Sequence, residues 1–165
     1  MREYVLVFAE CNREEILVIL KDKPEWMAGR LNLLGGKIDP EDKLLSSEPW
    51  RYALVAAERE LKEESGYKTY GMSHMGEISD NDESFKIHVV KAFIDNPTDE
   101  IKQDPGETEA VSWIPWKHLR YDSRLMPNLR VIIPLIQSGI TGWKITVCDN
   151  LQAVTHKMTI ELPVE

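Results

Sequence analysis

Long apolar runs are absent from this 165-residue sequence. Nothing in it approaches the ~20 consecutive apolar residues that a membrane-spanning helix needs, so no membrane partner is expected. The opening Met1-Arg2-Glu3-Tyr4-Val5 carries too short an apolar run for a secretory leader, which makes a cytoplasmic location the expectation. Cysteine is scarce. Cys11 and Cys148 lie far apart with no metal-ligand spacing, so neither a disulfide framework nor a cysteine zinc site is indicated. A basic stripe is missing too. With 20 basic against 28 acidic residues and a formal net charge of −8, the chain is not expected to bind DNA or long RNA. It also lacks internal repeats, low-complexity tracts and linkers. At 42% hydrophobic composition, a single domain over residues 1–165, as monomer or homodimer, is the expectation. An acidic chain can still take a polyphosphate if divalent cations stand between the two negative partners.

The remaining pattern alternates strands with helices. Residues 4–9 and 16–20 are rich in Val, Ile and Leu and flank a polar turn, which predicts two strands. A loop with Pro24, Trp26 and Gly29 leads to Leu31-Asn32-Leu33-Leu34 and the pair Gly35-Gly36. Ser47-Glu48-Pro49 reads as a helix start, residues 52–65 carry Ala53, Ala56, Ala57 and Leu61 among strong helix formers, and Gly66 stands where a helix would close. Strands are predicted over 67–79 and 85–94 around Asn81-Asp82, followed by an exposed loop over 96–106 and a short strand over 110–114. Residues 129–137 are apolar at helical spacing, with Pro134 expected to kink that helix or start a second segment. Strand-like runs at 143–147 and 158–162 close the chain. Strands mixed with two substantial helices imply an α/β or α+β domain.

The chemistry concentrates in Arg59-Glu60-Leu61-Lys62-Glu63-Glu64-Ser65-Gly66-Tyr67. Residues three and four apart on a helix are neighbours, so Glu60, Glu63 and Glu64 crowd one side, and each like-charged pair costs a few tenths of a kcal/mol. Arg59 offsets part of this through Glu63 one turn on. A hard divalent cation offsets more, since Mg²⁺ prefers oxygen ligands and takes one or two carboxylates plus substrate phosphates. A solvated acidic face is the plain alternative for three glutamates taken alone. The upstream Gly35-Gly36 weighs against it, because backbone without side chains can approach a metal or phosphate there.

The segment from Gly36 through Tyr67 resembles the Nudix box, with Arg59, Glu60, Leu61, Glu63, Glu64, Gly66 and Tyr67 meeting every defined position of its second half. Two departures stand out. Gly36 lies 23 positions before Arg59 rather than about fifteen, so residues 39–47 read as an insertion, and the box glutamate eight positions before the arginine is replaced by Arg51, with Glu48 or Glu41 as possible stand-ins. The stretch Gly29-Arg30-Leu31-Asn32-Leu33-Leu34-Gly35-Gly36-Lys37 and the later Met126-Pro127-Asn128, Ile133-Pro134-Leu135 and Gly142-Trp143 are similar to MutT-like enzymes that hydrolyse oxidised purine nucleoside triphosphates. In those enzymes two acids after a tryptophan-proline help read the purine edge; here Met126 replaces the tryptophan and Asn128 and Leu129 the acids, which alters base reading.

The resemblance implies an α/β/α sandwich around a mixed β-sheet and a Nudix pyrophosphohydrolase acting on a small nucleotide. Glu60, Glu63, Glu64 and the Gly36 carbonyl are then expected to hold Mg²⁺, with Mn²⁺ as a substitute. Glu107, with Glu109 next, is the candidate acid from a later loop, and Glu63 or Glu107 the candidate general base, while Arg59 orients a glutamate. Asn32, Lys37, Phe8, Trp26 and Asn128 are the substrate-binding candidates. The expected reaction converts a nucleoside triphosphate, unmodified or oxidised, to monophosphate and pyrophosphate. The alternatives are an ADP-ribose or dinucleotide polyphosphate pyrophosphatase and a non-catalytic nucleotide sensor. The histidines, His74, His88, His118 and His156, are scattered and receive no catalytic role.

Overall fold

The structure is a computed structural model that describes residues 1–69, 71–98, 100–148 and 158–164; His156 lies outside them. Its centre is strand β1 (Arg2–Cys11), which pairs in parallel with β6 (Phe85–Ile94) and antiparallel with β4 (Leu34–Lys37) and, at one end, β2 (Glu15–Leu20). Strand β3 (Leu31–Asn32) and β7 (Ala110–Pro115) pair with β2. On the other side β6 continues to β5 (Met72–Asp80), then β8 (Trp143–Val147) and β9 (Met158–Glu161). Parallel β1/β6 and β5/β8 pairs among antiparallel ones make the sheet mixed.

Both faces of this sheet are covered, which is why β1 reads as an almost continuous apolar run. Helix α1 (Pro49–Ser65) lays Ala53, Ala56, Ala57 and Leu61 on Val5, Val7, Val90 and Ala92. The alanines keep the helix axis close to the strands. Helix α3 (Leu129–Gln137) lays Leu129, Ile132, Ile133 and Ile136 on the opposite face, with Phe8, Ile78, Val89 and Trp143. The result is the α/β/α sandwich. A short helix α2 (Trp116–Leu119) follows β7. Among the described residues no helix is long and apolar enough to cross a membrane.

Two expectations are corrected here. The strand after α1 begins at Met72 rather than at residue 67, because Tyr67 is held by tertiary contacts: its ring lies 5.6 Å from that of Trp113, whose Nε1 donates to the Tyr67 hydroxyl at 3.1 Å. Helix α3 continues through Pro134 as one segment rather than starting a second there, the missing proline N–H removing one bond of a helix whose apolar stripe is packed on the sheet.

Candidate active site

The acidic turn of α1 lies against the two glycines of β4. Gly35 N–H donates to Glu64 Oε2 at 2.9 Å. A Cβ at Gly36 would stand 2.4 Å from Glu60 Oε1, and one at Gly35 would stand 2.0 Å from the Val5 carbonyl oxygen. Gly35 also takes a φ of +145°, which other residues rarely adopt, so this pair is glycine for space and for conformation. Glu60 and Glu64 are buried, at 9% and 6% exposure, and Glu63 is half-buried beside them.

Arg59 ties the cluster together. It reaches Glu60 Oε1 at 2.8 Å and Glu63 Oε2 at 3.3 Å, and donates through Nε and Nη2 to both oxygens of Asp42 at 3.1 and 2.9 Å. Asp42 sits in a 3₁₀ turn over Pro40–Lys43 whose Asp39 N–H also donates to it. Burial alone would push Asp42 up, but Arg59 and that N–H outweigh it and hold the carboxyl below its ordinary range.

The other two acids go the opposite way. Desolvation, with repulsion from Glu63 and Glu107, outweighs the Arg59 contact and raises Glu60. Desolvation, with repulsion from Glu60 and Glu107, pushes Glu64 up to about 8 despite the Gly35 N–H and the Lys21 charge. Two buried carboxylates that resist ionising together are a donor set that a divalent cation satisfies. Their oxygens stand beside the side-chain-free backbone at Gly36, and oxygen donors are the kind a hard divalent cation takes.

The loop between β6 and β7 brings the later acid in. The last turn of a helix leaves carbonyls without intrahelical partners. Here Lys102 N–H donates to the Ser65 carbonyl at 3.0 Å and Asp104 N–H to that of Glu63 at 2.8 Å. The loop turns again through Glu107 N–H to the Asp104 carbonyl at 3.1 Å, leaving Glu107 exposed yet close enough to act on Glu60 and Glu64. Glu109 does otherwise. It is buried, paired with Lys21 and accepting from Asp22 N–H at 2.9 Å, so its oxygens are committed to holding the loop after β2.

Beside the acids opens a cavity of about 790 Å³, a size that suits a nucleotide. Its walls include Leu6, Lys21, Trp26, Asn32 and Gly36. Trp26 is 37% exposed and offers a ring face. Asn32 Oδ1 accepts from Leu33 N–H at 2.9 Å, which fixes its side chain. Phe8 is corrected. It has no exposed surface and packs in the core under α3, so it cannot stack on a base; Leu6, two residues earlier on the same face of β1, lines the cavity instead. Lys37 is exposed and off the cavity wall, and what it provides is a carbonyl that accepts from Arg59 at 3.0 Å. Asn128 is also off the wall, with its Oδ1 buried and without a hydrogen-bond partner.

A family model described as NUDIX domain matches residues 2–136. The chain belongs to the Nudix family. It is a Nudix pyrophosphohydrolase acting on nucleotide-linked compounds. No curated protein matches it significantly. Among solved structures it is similar to a mutator MutT protein from Bacillus halodurans, at TM-score 0.70 and 14% identity over 98% of each chain. It is also similar to the NUDIX domain of Shewanella oneidensis NrtR, solved with ADP ribose, at TM-score 0.62 and 12% identity over 83% of this chain and 86% of that one. A third is an ADP compounds hydrolase, at TM-score 0.60 and 22% identity over 84% and 71%. At these identities the likeness is one of fold.

Within the Nudix box, the missing acid is found. Glu48 pairs with Arg51 on the surface and Glu41 is exposed, so neither stands in for the box glutamate. Asp42 takes that place against Arg59, and the extra residues follow it rather than precede it. Counting forward from Gly36, rather than back from Arg59, would have found this acid. Lys21 was the other residue missed, because only the fold carries it from the end of β2 to the cavity wall near Glu64.

Proposed function

We propose that this Nudix protein hydrolyses a nucleoside triphosphate, unmodified or oxidised in its base, to the monophosphate and pyrophosphate with Mg²⁺. The observation that carries the reading is a pair of buried, charge-starved carboxylates, Glu60 and Glu64, cradled by two glycines at the rim of a nucleotide-sized cavity. Glu60, Glu63 and Glu64 with the Gly36 carbonyl hold the cation, and Glu107 closes over them. When bound, Mg²⁺ neutralises phosphate charge and acidifies water for attack on phosphorus.

The protein's own groups do the rest. Arg59 orients the Glu60 and Glu63 carboxylates through the two short contacts above. Glu63, the more accessible of the three, takes the proton of the attacking water on a carboxylate oxygen, with Glu107 the alternative base. Lys21, its ammonium already paired with Glu109, lends positive charge to the cavity wall on the phosphate side. Trp26 stacks on the base and Asn32 hydrogen-bonds its edge, whereas Asn128, buried off the cavity wall, does not reach it.

A panel of nucleoside triphosphates, oxidised purine triphosphates, ADP-ribose and dinucleotide polyphosphates, with Mg²⁺ and product identification, tests the reading. Release of pyrophosphate from a triphosphate is expected. Turnover confined to ADP-ribose or a dinucleotide overturns the substrate, and tight binding without turnover makes the protein a sensor. Glu63→Gln is expected to lower kcat by about 10²–10⁴-fold while leaving the circular dichroism spectrum unchanged.

A further inference from the structure

A second cluster of ligating side chains stands on the α1 face of the sheet, away from the Nudix box. It consists of His74 and Glu77 on β5 and His88 on β6. A regular strand alternates faces with a period of two, so residues 74 and 77 should point to opposite sides. The strand is not regular there. The β5/β6 register shifts between His74 and Gly76, pairing His74 with Val90 and Glu77 with His88. This bulge puts both side chains on the face that His88 shares, and bulges commonly re-aim a side chain in this way.

The resulting spacing suits a cation. His74 Nε2 and His88 Nδ1 are 3.0 Å apart, His88 Nδ1 and Glu77 Oε1 are 3.7 Å apart, and the three ligating atoms lie within 4.8 Å of one another. Bonds of 2.0–2.2 Å to a tetrahedral ion place neighbouring ligands about 3.3 Å apart, between the two shorter separations found here. His88 is fully buried, whereas His74 and Glu77 are half-buried and leave the cluster a solvent side.

The far side of His88 supplies an independent sign. Its Nε2 is buried without a hydrogen-bond partner and faces Glu3 Oε1 at 3.6 Å. Glu3 is itself held by the Tyr52 hydroxyl, which donates at 2.5 Å, and by Lys43. When His88 Nδ1 carries an ion, its proton must sit on Nε2, opposite this carboxylate. A histidine backed by a fixed carboxylate is the usual support of a metal-bound imidazole. Lys86 pairs with the other oxygen of Glu77, leaving Oε1 for the ion. Burial also lowers both imidazoles below their ordinary pKa, which keeps them neutral as ligands must be.

We propose that His74, Glu77 and His88 form a second metal site, selective for a nitrogen-seeking divalent ion such as Zn²⁺. The ion clamps β5 to β6, and through Glu3 and Tyr52 to β1 and the first turn of α1. Three protein ligands leave its remaining position to water. Imidazole ligands favour Zn²⁺ over the oxygen-seeking Mg²⁺ of the Nudix box. The two sites are also separate in space, since Tyr52 precedes Glu60 by about 12 Å of helix.

Untagged protein, stripped of metal and then saturated with Mg²⁺ to fill the box, is titrated with Co²⁺ and Zn²⁺. The expected result is one equivalent bound, with a Co²⁺ visible spectrum of nitrogen and oxygen ligation that Zn²⁺ abolishes, and a higher Tm. Both His74→Ala and Glu77→Gln, at accessible positions, are expected to weaken binding at least tenfold with secondary structure unchanged, and Glu63→Gln to leave it intact. Four outcomes overturn the site: no binding, a sulfur-to-cobalt band that assigns the ion to cysteine, equal affinity in both cluster variants, or loss of binding in Glu63→Gln.

Discussion

Arg59 contacts three acids at hydrogen-bonding distance, and Asp42 is the one that takes both arms of its guanidinium. From outside the helix Asp42 is the acid that hydrogen-bonds the arginine, with Asp39 farther off at 3.7 Å, so removing it leaves Arg59 to lean on Glu60 and Glu63, where it competes with the cation. Asp42→Asn keeps the size but loses one acceptor and the charge. The expected cost is about 1–3 kcal/mol in urea denaturation, since a buried, charge-assisted pair is broken. A lower kcat with a nearly unchanged KM is expected alongside. Glu41→Gln and Glu48→Gln are expected to alter neither quantity, and a kcat loss in Glu48→Gln equal to that of Asp42→Asn would return the box role to Glu48. Glu64 gives a second residue-scale expectation. In the metal-free protein its carboxyl titrates near 8 when folded, against an ordinary 4.5. Between those values the folded chain holds a proton that the unfolded chain has released, so stability falls as pH rises through that window. Thermal melts in EDTA from pH 5 to 8.5 are expected to show this fall, and Glu64→Gln to flatten it. A wild-type Tm independent of pH there would mean that Glu64 is ionised throughout.

At the scale of elements, α1 was readable end to end because its signals are local: Pro49 at the first position, alanines on one stripe, Gly66 at the close. The box acids came with it, since their spacing is helical spacing. What was not readable depends on chain segments meeting. The burial of Phe8 follows from which face of β1 the α3 helix covers, and an aromatic residue in a strand says nothing about that. The late start of β5 follows from the Tyr67–Trp113 contact across 46 residues. The place of Asp42 follows from an insertion that breaks the count from Arg59. The loop after β6 was expected to be merely exposed, yet its N–H groups cap the end of α1. Gly66 is where that cap can be tested. It adopts a φ of +78°, and a Cβ there would stand 2.5 Å from the Lys102 carbonyl oxygen. Gly66→Ala is therefore expected to cost more than about 1 kcal/mol and to push the loop outward, weakening Mg²⁺ binding with it. Calorimetry on Gly66→Ala and Glu107→Gln separates the effects: matching losses of Mg²⁺ affinity place Glu107 in the site, and an unweakened Gly66→Ala shows that the loop position does not matter to the ion.

The whole molecule carries a net charge of −8, with several of its acids gathered against one cavity. Unfolding disperses that cluster, so Mg²⁺ held there as proposed is expected to bind the folded chain in preference and to stabilise it by mass action. At a hundredfold excess over Kd the gain is about 2.7 kcal/mol. For a chain of this length that corresponds to a Tm rise of roughly 5–11 °C. Because any salt also screens self-repulsion in an acidic protein, NaCl at equal ionic strength is the necessary comparison. The specific part is expected to disappear in Glu60→Gln and to survive in His74→Ala, since Mg²⁺ has little use for imidazole. If NaCl reproduces the entire rise, the acids of α1 hold no ion of their own, and the charge balance is merely being screened.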